Sequence, residues 1–268
     1  MNLETVRENA HVYLMEALDS ISQRTADEQS GLAYITAAYF YRRIAICELL
    51  AEARMDRFAT FLAKSALVRI HFLRLVTQGH AAAPLHTCAS RNFSFVDSLV
   101  AGQLHMAVEL ARLTPDRHTP SIEYEDDFLL HRFLQRLTLH LHVGDNFDLA
   151  AMLERWETVL EGEYDPYLGA CKALLQKDTR ALNEALRDAI AIRKRSFQDE
   201  KKQSVPPDRR LTEGFVFMDG LAFLRLAETL GMPVQREYPT IPKFARIPLG
   251  RAPLPHDSWM RPEQAVPA

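Results

Sequence analysis

The chain is poor in glycine and cysteine, and it carries no proline in its first 83 residues. Each shortage excludes something. Ten glycines in 268 residues are about half the usual share of roughly 7%. So few leave little room for the tight turns of an all-β chain. The three cysteines, Cys47, Cys88 and Cys171, lie far apart with no CxxC pair. They form neither a disulfide framework nor a zinc motif. No run approaches the roughly 18 apolar residues of a membrane span. Residues 35–50 come nearest, and Arg42 and Arg43 interrupt them. The first residues carry Glu4, Glu8 and Glu16, where a signal peptide needs a basic start and an unbroken apolar stretch. A strong excess of one charge is also missing, with 32 Lys plus Arg against 35 Asp plus Glu. That counts against a general nucleic-acid binder. These absences predict a reduced, cytoplasmic protein with neither a membrane nor nucleic acid as partner.

What is present is apolar and periodic. Hydrophobic residues make up 47% and charged residues 25%, enough to bury a core against chain entropy. Proline is compatible with a first turn or a loop but breaks a helix interior. Eight of the 14 prolines fall at or after Pro233, so residues 1–232 read as a helical domain. Residues 233–268 read as an extended Pro-rich tail packed on it. Leu3, Val6, Ala10, Leu14, Ala17 and Ile21 mark one helix face by their three- and four-residue steps. Similar periods predict helices over Leu32 to Leu49 and over Phe58 to Leu75. Others open at Ser94 (with Asp97 as a capping-box variant), near Leu130, at Asp145 or Asn146, at Pro166, at Asp178 and near Thr212. The fold expected is all-α, with eight or nine helices in an antiparallel αα-hairpin bundle. The segments opening at Asp145 and Asp178 lie 33 residues apart, near the period of tetratricopeptide-like hairpins. Two copies make no array, and the consensus aromatic and glycine positions do not match.

Reactive groups are sparse. No phosphate-loop, dinucleotide, zinc-protease or nucleophile-elbow motif occurs. Cys171 fits the apolar face of Leu168, Leu174 and Leu175, so packing explains it. Asp127 and His131 share a helix face, with His140 and His142 further along. A di-iron bundle needs a second Glu-x-x-His half-site, which the chain lacks. The sequence therefore predicts no catalytic residue, metal or cofactor. Residues 123–165 hold eleven acids and three bases. Their densest cluster, Glu123, Glu125, Asp126 and Asp127, is the candidate partner-binding surface. Residues 187–210 hold eight bases and four acids, so charge is unevenly distributed along the chain.

Two stretches carry a resemblance. One is Tyr164-Asp165-Pro166-Tyr167-Leu168 through Ala173-Leu174-Leu175 and Lys177-Asp178, followed by a Leu-rich helix to Arg193-Lys194-Arg195. The other is Gly220-Leu221-Ala222-Phe223-Leu224-Arg225-Leu226-Ala227, then Leu230-Gly231-Met232-Pro233-Val234 and Tyr238-Pro239-Thr240-Ile241-Pro242. Over residues 164–244 the chain resembles the immunity protein 49 family of bacterial polymorphic toxin systems. The resemblance implies a mostly helical cytoplasmic protein that neutralises a cognate toxin by binding it, without catalysis. Its motifs are not catalytic in the family, and in this chain their residue types suit architecture. Gly231 suits a left-handed cap, Pro233 stops the helix, and Tyr238 and Ile241 suit anchors for the tail. A basic toxin would suit the acidic cluster. The alternative function is an αα-hairpin scaffold for another protein or peptide, which a groove of exposed tyrosine and arginine would favour. An exposed helix face leaves room for a homodimer.

Overall fold

The computed structural model describes residues 1–198, 205–246 and 253–262. Among the described residues there are thirteen α-helices. They are α1 Leu3–Ser22, α2 Ala26–Ser30, α3 Leu32–Glu52, α4 Met55–Thr77, α5 Pro84–Thr87, α6 Phe93–Val100 and α7 Leu104–Leu113. After these come α8 Glu125–Val143, α9 Leu149–Leu160, α10 Pro166–Gln176, α11 Thr179–Gln198, α12 Pro207–Leu211 and α13 Met218–Thr229. No strand occurs among them beyond a single bridge between Tyr238 and Ile241. The all-α class is as the sequence predicts.

The helix count exceeds eight or nine for physical reasons. Three of the thirteen, α2, α5 and α12, have five residues or fewer, too short for a periodic signal. The helix expected from Ser94 divides at Gly102, whose φ of +71° no right-handed helix accommodates. Ser94 does not cap it. Asn92 occupies the cap position, while Ser94 and Asp97 are buried within α6. The cap expected at Asp145 or Asn146 falls instead on Asp148, whose carboxylate accepts from the Ala151 N–H at 2.9 Å. The last helix starts at Met218, not near Thr212, because Thr212 closes α12. Other punctuation lies where the sequence puts it. Gly144 ends α8 at φ +81°. Asp165 caps α10 ahead of Pro166. Asp178 accepts from the Arg180 and Ala181 N–H groups.

The core is organised around α3 and α4, which pack against each other, with α1 on α3 and both α6 and α7 on α4. A helix covered on several sides must be apolar nearly all round. Accordingly 15 of the 23 residues of α4 are buried, including Phe58, Phe61, Leu62, Phe72 and Leu73. Each large apolar side chain so enclosed contributes about 1.5–3 kcal/mol. The arginines that interrupt the apolar run of α3 are its polar ties to distant segments. Arg42 Nε donates to Asp97 at 2.6 Å and its Nη2 to the Phe93 carbonyl at 2.9 Å. Arg43 pairs with Asp208 of α12. From α7 onward packing follows the chain, α7 on α8, α8 on α9, α9 on α10 and α10 on α11, while α13 returns to lie against α6 and α10. That return brings the first turn of α13 beside the first turns of α8 and α10.

Part of the Pro-rich segment is visible on this core. Ile241 is buried, and the half-buried Tyr238 donates its hydroxyl to Asn183 Oδ1 at 2.5 Å. The Phe217 N–H donates to the Thr240 carbonyl at 2.7 Å. Trp259, in the 3-10 turn Ser258–Met260, is buried against α4, its ring 5.1 Å from that of His71. Its carbonyl accepts from the Tyr41 hydroxyl. Lys64 Nζ donates to the Arg261 carbonyl at 2.6 Å. Residues 199–204 of the charged loop, and 247–252 and 263–268 of the expected tail, lie outside the described residues.

Candidate functional site

Three helix starts meet at one cleft of about 490 Å³. The first turn of α8 supplies Asp126 and Asp127, the cap of α10 supplies Asp165, and the first turn of α13 supplies Asp219. Acids are favoured at these positions locally, because each helix start presents unpaired N–H groups and the positive end of its dipole. Asp126 Oδ1 accepts from the Asp127 N–H at 2.9 Å, and Asp165 Oδ1 from the Tyr167 N–H at 2.8 Å. Three dipole ends of about half a charge each do not offset four carboxylates, so the cleft is net negative. Its walls are Leu130, Leu160 and Ile192 together with Trp156, Tyr164 and Tyr167, and His131 lies one turn along α8 from Asp127.

The electrostatics follow from this crowding. Burial, then the charges of Asp126, Asp165 and Glu123, push the Asp127 carboxyl above its ordinary value. Burial also raises Asp165, against the pull of the Tyr167 N–H. Burial lowers His131, although Asp219 works the other way, so its imidazole is neutral near neutral pH. Two nitrogens of the cleft residues, Trp156 Nε1 and His131 Nδ1, are sealed from solvent without a hydrogen-bond partner. The Trp156 indole stands near enough to Asp165 to favour its charged form, but not in hydrogen-bonding geometry.

The four acids singled out in the sequence have different partners. Glu123 is 8% exposed, and its carboxylate accepts from the Ser90 N–H at 2.9 Å and the Thr119 N–H at 3.4 Å. Glu125 is held by both Nε and Nη2 of Arg155 at 2.7 and 2.8 Å. Asp126 and Asp127 line the cleft. Asp165 and Asp219 join them there, and only tertiary packing brings Asp219 near, since it is 92 residues beyond Asp127. His140 lies apart from the cleft and contacts the Asp145 carbonyl at 3.1 Å. Among the described residues no group of three His, Cys, Asp or Glu side chains is placed to hold a metal ion. Cys171 is buried, and burial raises its thiol well above the ordinary value, which fits packing.

The chain that carries this acidic cleft is an all-helical protein with a candidate recognition surface. The model of the family described as immunity protein 49 matches residues 75–245. That is well over half of the chain, and the chain belongs to this family. The match begins far ahead of Tyr164, where the sequence resemblance becomes recognisable, and takes in all four cleft aspartates. Membership points to a role in toxin immunity. No curated protein and no solved structure shows significant similarity to the chain. Among the described residues no helix is long and apolar enough to cross a membrane.

Proposed function

We propose that this protein binds a cognate antibacterial toxin in the cytoplasm of the producing cell and blocks it by occupancy, without catalysis. Family membership supplies the toxin-immunity role. The observation that carries the binding reading is the meeting of Asp126, Asp127, Asp165 and Asp219 at one cleft. None of these four pairs with a cation among the described residues. Nearby acids do: Glu125 with Arg155, Glu157 with Lys172, and Asp116 with Arg132 and Arg136. Unpaired like charges are costly to hold together, and a basic partner relieves that cost. The cleft walls carry tyrosine but no arginine, so the mixed groove favoured by the scaffold alternative is not what this site presents.

Stoichiometric inhibition needs an interface of at least about 1,200 Å² in total, so the cleft is the centre of a larger contact. The test is co-purification with the product of the adjacent gene, paired with growth rescue of cells producing that product. A tight one-to-one complex with rescue is the expected result. A confirmed toxin that neither binds nor is neutralised would overturn the reading.

A further inference from the structure

We infer that the outward face of α1 docks an amphipathic helix of another protein, one whose apolar stripe is flanked by lysine or arginine. The inference goes beyond the immunity reading. It does not use the aspartate cleft, whose lining contains no residue of α1.

Helix α1 buries one face and offers the opposite one. Val6, Ala10, Leu14 and Ala17 are buried. Glu8, Val12, Met15 and Asp19 recur at steps of four, three and four, which keeps them in line on a helix of about 3.6 residues per turn. All four are exposed, Val12 at 56% and Met15 at 45%. Beside them the half-exposed Tyr13 stacks on Phe40 of α3 at 5.1 Å, so the apolar surface continues toward the neighbouring helix. The stripe has an apolar centre and a carboxylate at each end. At about 1.5 Å per residue, Glu8 and Asp19 lie about 16 Å apart along the axis.

Helix stability does not account for these acids. A carboxylate is favoured in the first turn of a helix and disfavoured in the last, yet Asp19 stands in the last turn of Leu3–Ser22, which has no basic residue. Glu4 with Glu8, and Glu16 with Asp19, are like charges at spacings that destabilise a helix. None of the four carboxylates has an ion-pair partner among the described residues. Arg7, the one arginine of α1, pairs with Glu48 and Glu52 of α3 at 3.6 and 3.5 Å. The charges also choose the occupant. A second copy, paired antiparallel about a two-fold axis between Val12 and Met15, would set Glu8 of each copy against Asp19 of the other. Anionic lipid and nucleic acid are repelled by the same carboxylates. A helix with bases eleven positions apart, and apolar residues four and seven positions after the first base, complements both the ends and the centre of the stripe.

The probe is an alanine- and glutamine-based peptide of roughly sixteen residues, long enough to form a helix in water. It carries two lysines and two leucines at those spacings and a neutral fluorescent tag. A second version has glutamate in place of lysine. Binding to the full-length chain is followed by anisotropy at low salt. Expected is saturable binding of the lysine peptide, weakened about tenfold or more by Val12→Ser with Met15→Ser, with unchanged circular dichroism. Glu8→Lys with Asp19→Lys should reverse the preference, so that the chain takes the glutamate peptide over the lysine one. This reversal decides the matter if the serine pair perturbs the fold. No saturable binding of the lysine peptide, binding undiminished in the folded serine variant, or a lysine preference that survives charge reversal would each overturn the inference. A dimer in size-exclusion chromatography that the serine pair converts to monomer would also overturn it, because the face would then belong to a second copy.

Discussion

At Asp97 the carboxylate is enclosed, and burial lifts it from 3.8 to about 6 despite Arg42 and Ser65. Its folded value lies above its unfolded one, so its stabilising contribution is present below about 3.8 and is lost as pH rises through 6. The stability of Asp97→Asn relative to wild type should therefore increase between pH 4 and 6 in urea titrations. Parallel profiles would show that the carboxylate is not desolvated. Lys64 is the mirror case: burial lowers it from 10.5 to about 8. Its contribution is present above about 10.5 and lost as pH falls through 8. Relative to Lys64→Met, the wild type should gain stability from pH 8 to 10.5, and a flat difference would contradict the burial. The acidic cluster separates on the same physical grounds. Glu123→Ala strips two N–H groups of their acceptor and should cost about 2 kcal/mol of folding stability. Asp127→Asn removes no such partner and should stay within about 0.5 kcal/mol. If the two variants melt alike, Glu123 is not the structural member of the pair.

Helix-level features divide into those periodicity can show and those it cannot. Helices α1, α3 and α4 are legible because their buried residues repeat along a face or fill the helix. The caps at Asp165 and Asp178 are legible because their side chains act on amides two or three residues away. The break at Gly102 is not, since apolar residues continue on both sides of it. Asp97 looks like a capping acid three residues after Ser94, yet tertiary contact with Arg42 and Ser65 claims it. The cleft was half legible for the same reason: Asp126 and Asp127 stand in a dense local run, whereas Asp219 is an isolated acid until α13 packs against α6 and α10. Gly31 shows how tightly elements meet. It links α2 to α3 at φ +90°, and a Cβ there would lie 2.3 Å from the Phe72 ring. Gly31→Ala should therefore cost about 2 kcal/mol, read as a lowered urea midpoint. An unchanged midpoint would mean that the α2–α3 junction moves freely away from Phe72.

For the molecule as a whole, charge distribution bears on how fast a partner arrives. A net-negative cleft raises the association rate of a basic partner, and dissolved salt screens that attraction over about 8–10 Å. The association rate of the toxin complex should fall as salt rises. Asn at Asp126, Asp127, Asp165 and Asp219 together should flatten that dependence in stopped-flow mixing. A salt slope unchanged by the four substitutions would place the steering charge elsewhere. Family membership was legible from the ending of α13 and the prolines after it, because those residues set local geometry. The partner is not legible in the same way, since a binding surface is assembled from segments that the chain keeps far apart.

Trp259 seals a surface made by residues from the first third of the chain, and its carbonyl receives the Tyr41 hydroxyl across 218 positions of sequence. During synthesis α3 and α4 emerge long before the residue that covers them. Until Trp259 and Arg261 leave the ribosome, the Tyr41 hydroxyl and the Lys64 ammonium lack the carbonyls that receive them in the folded chain. A finished core thus requires synthesis through residue 259. Ribosomes that stall or stop short of residue 259 release α4 with a bare flank, and such products are the ones a cell's proteases would find first.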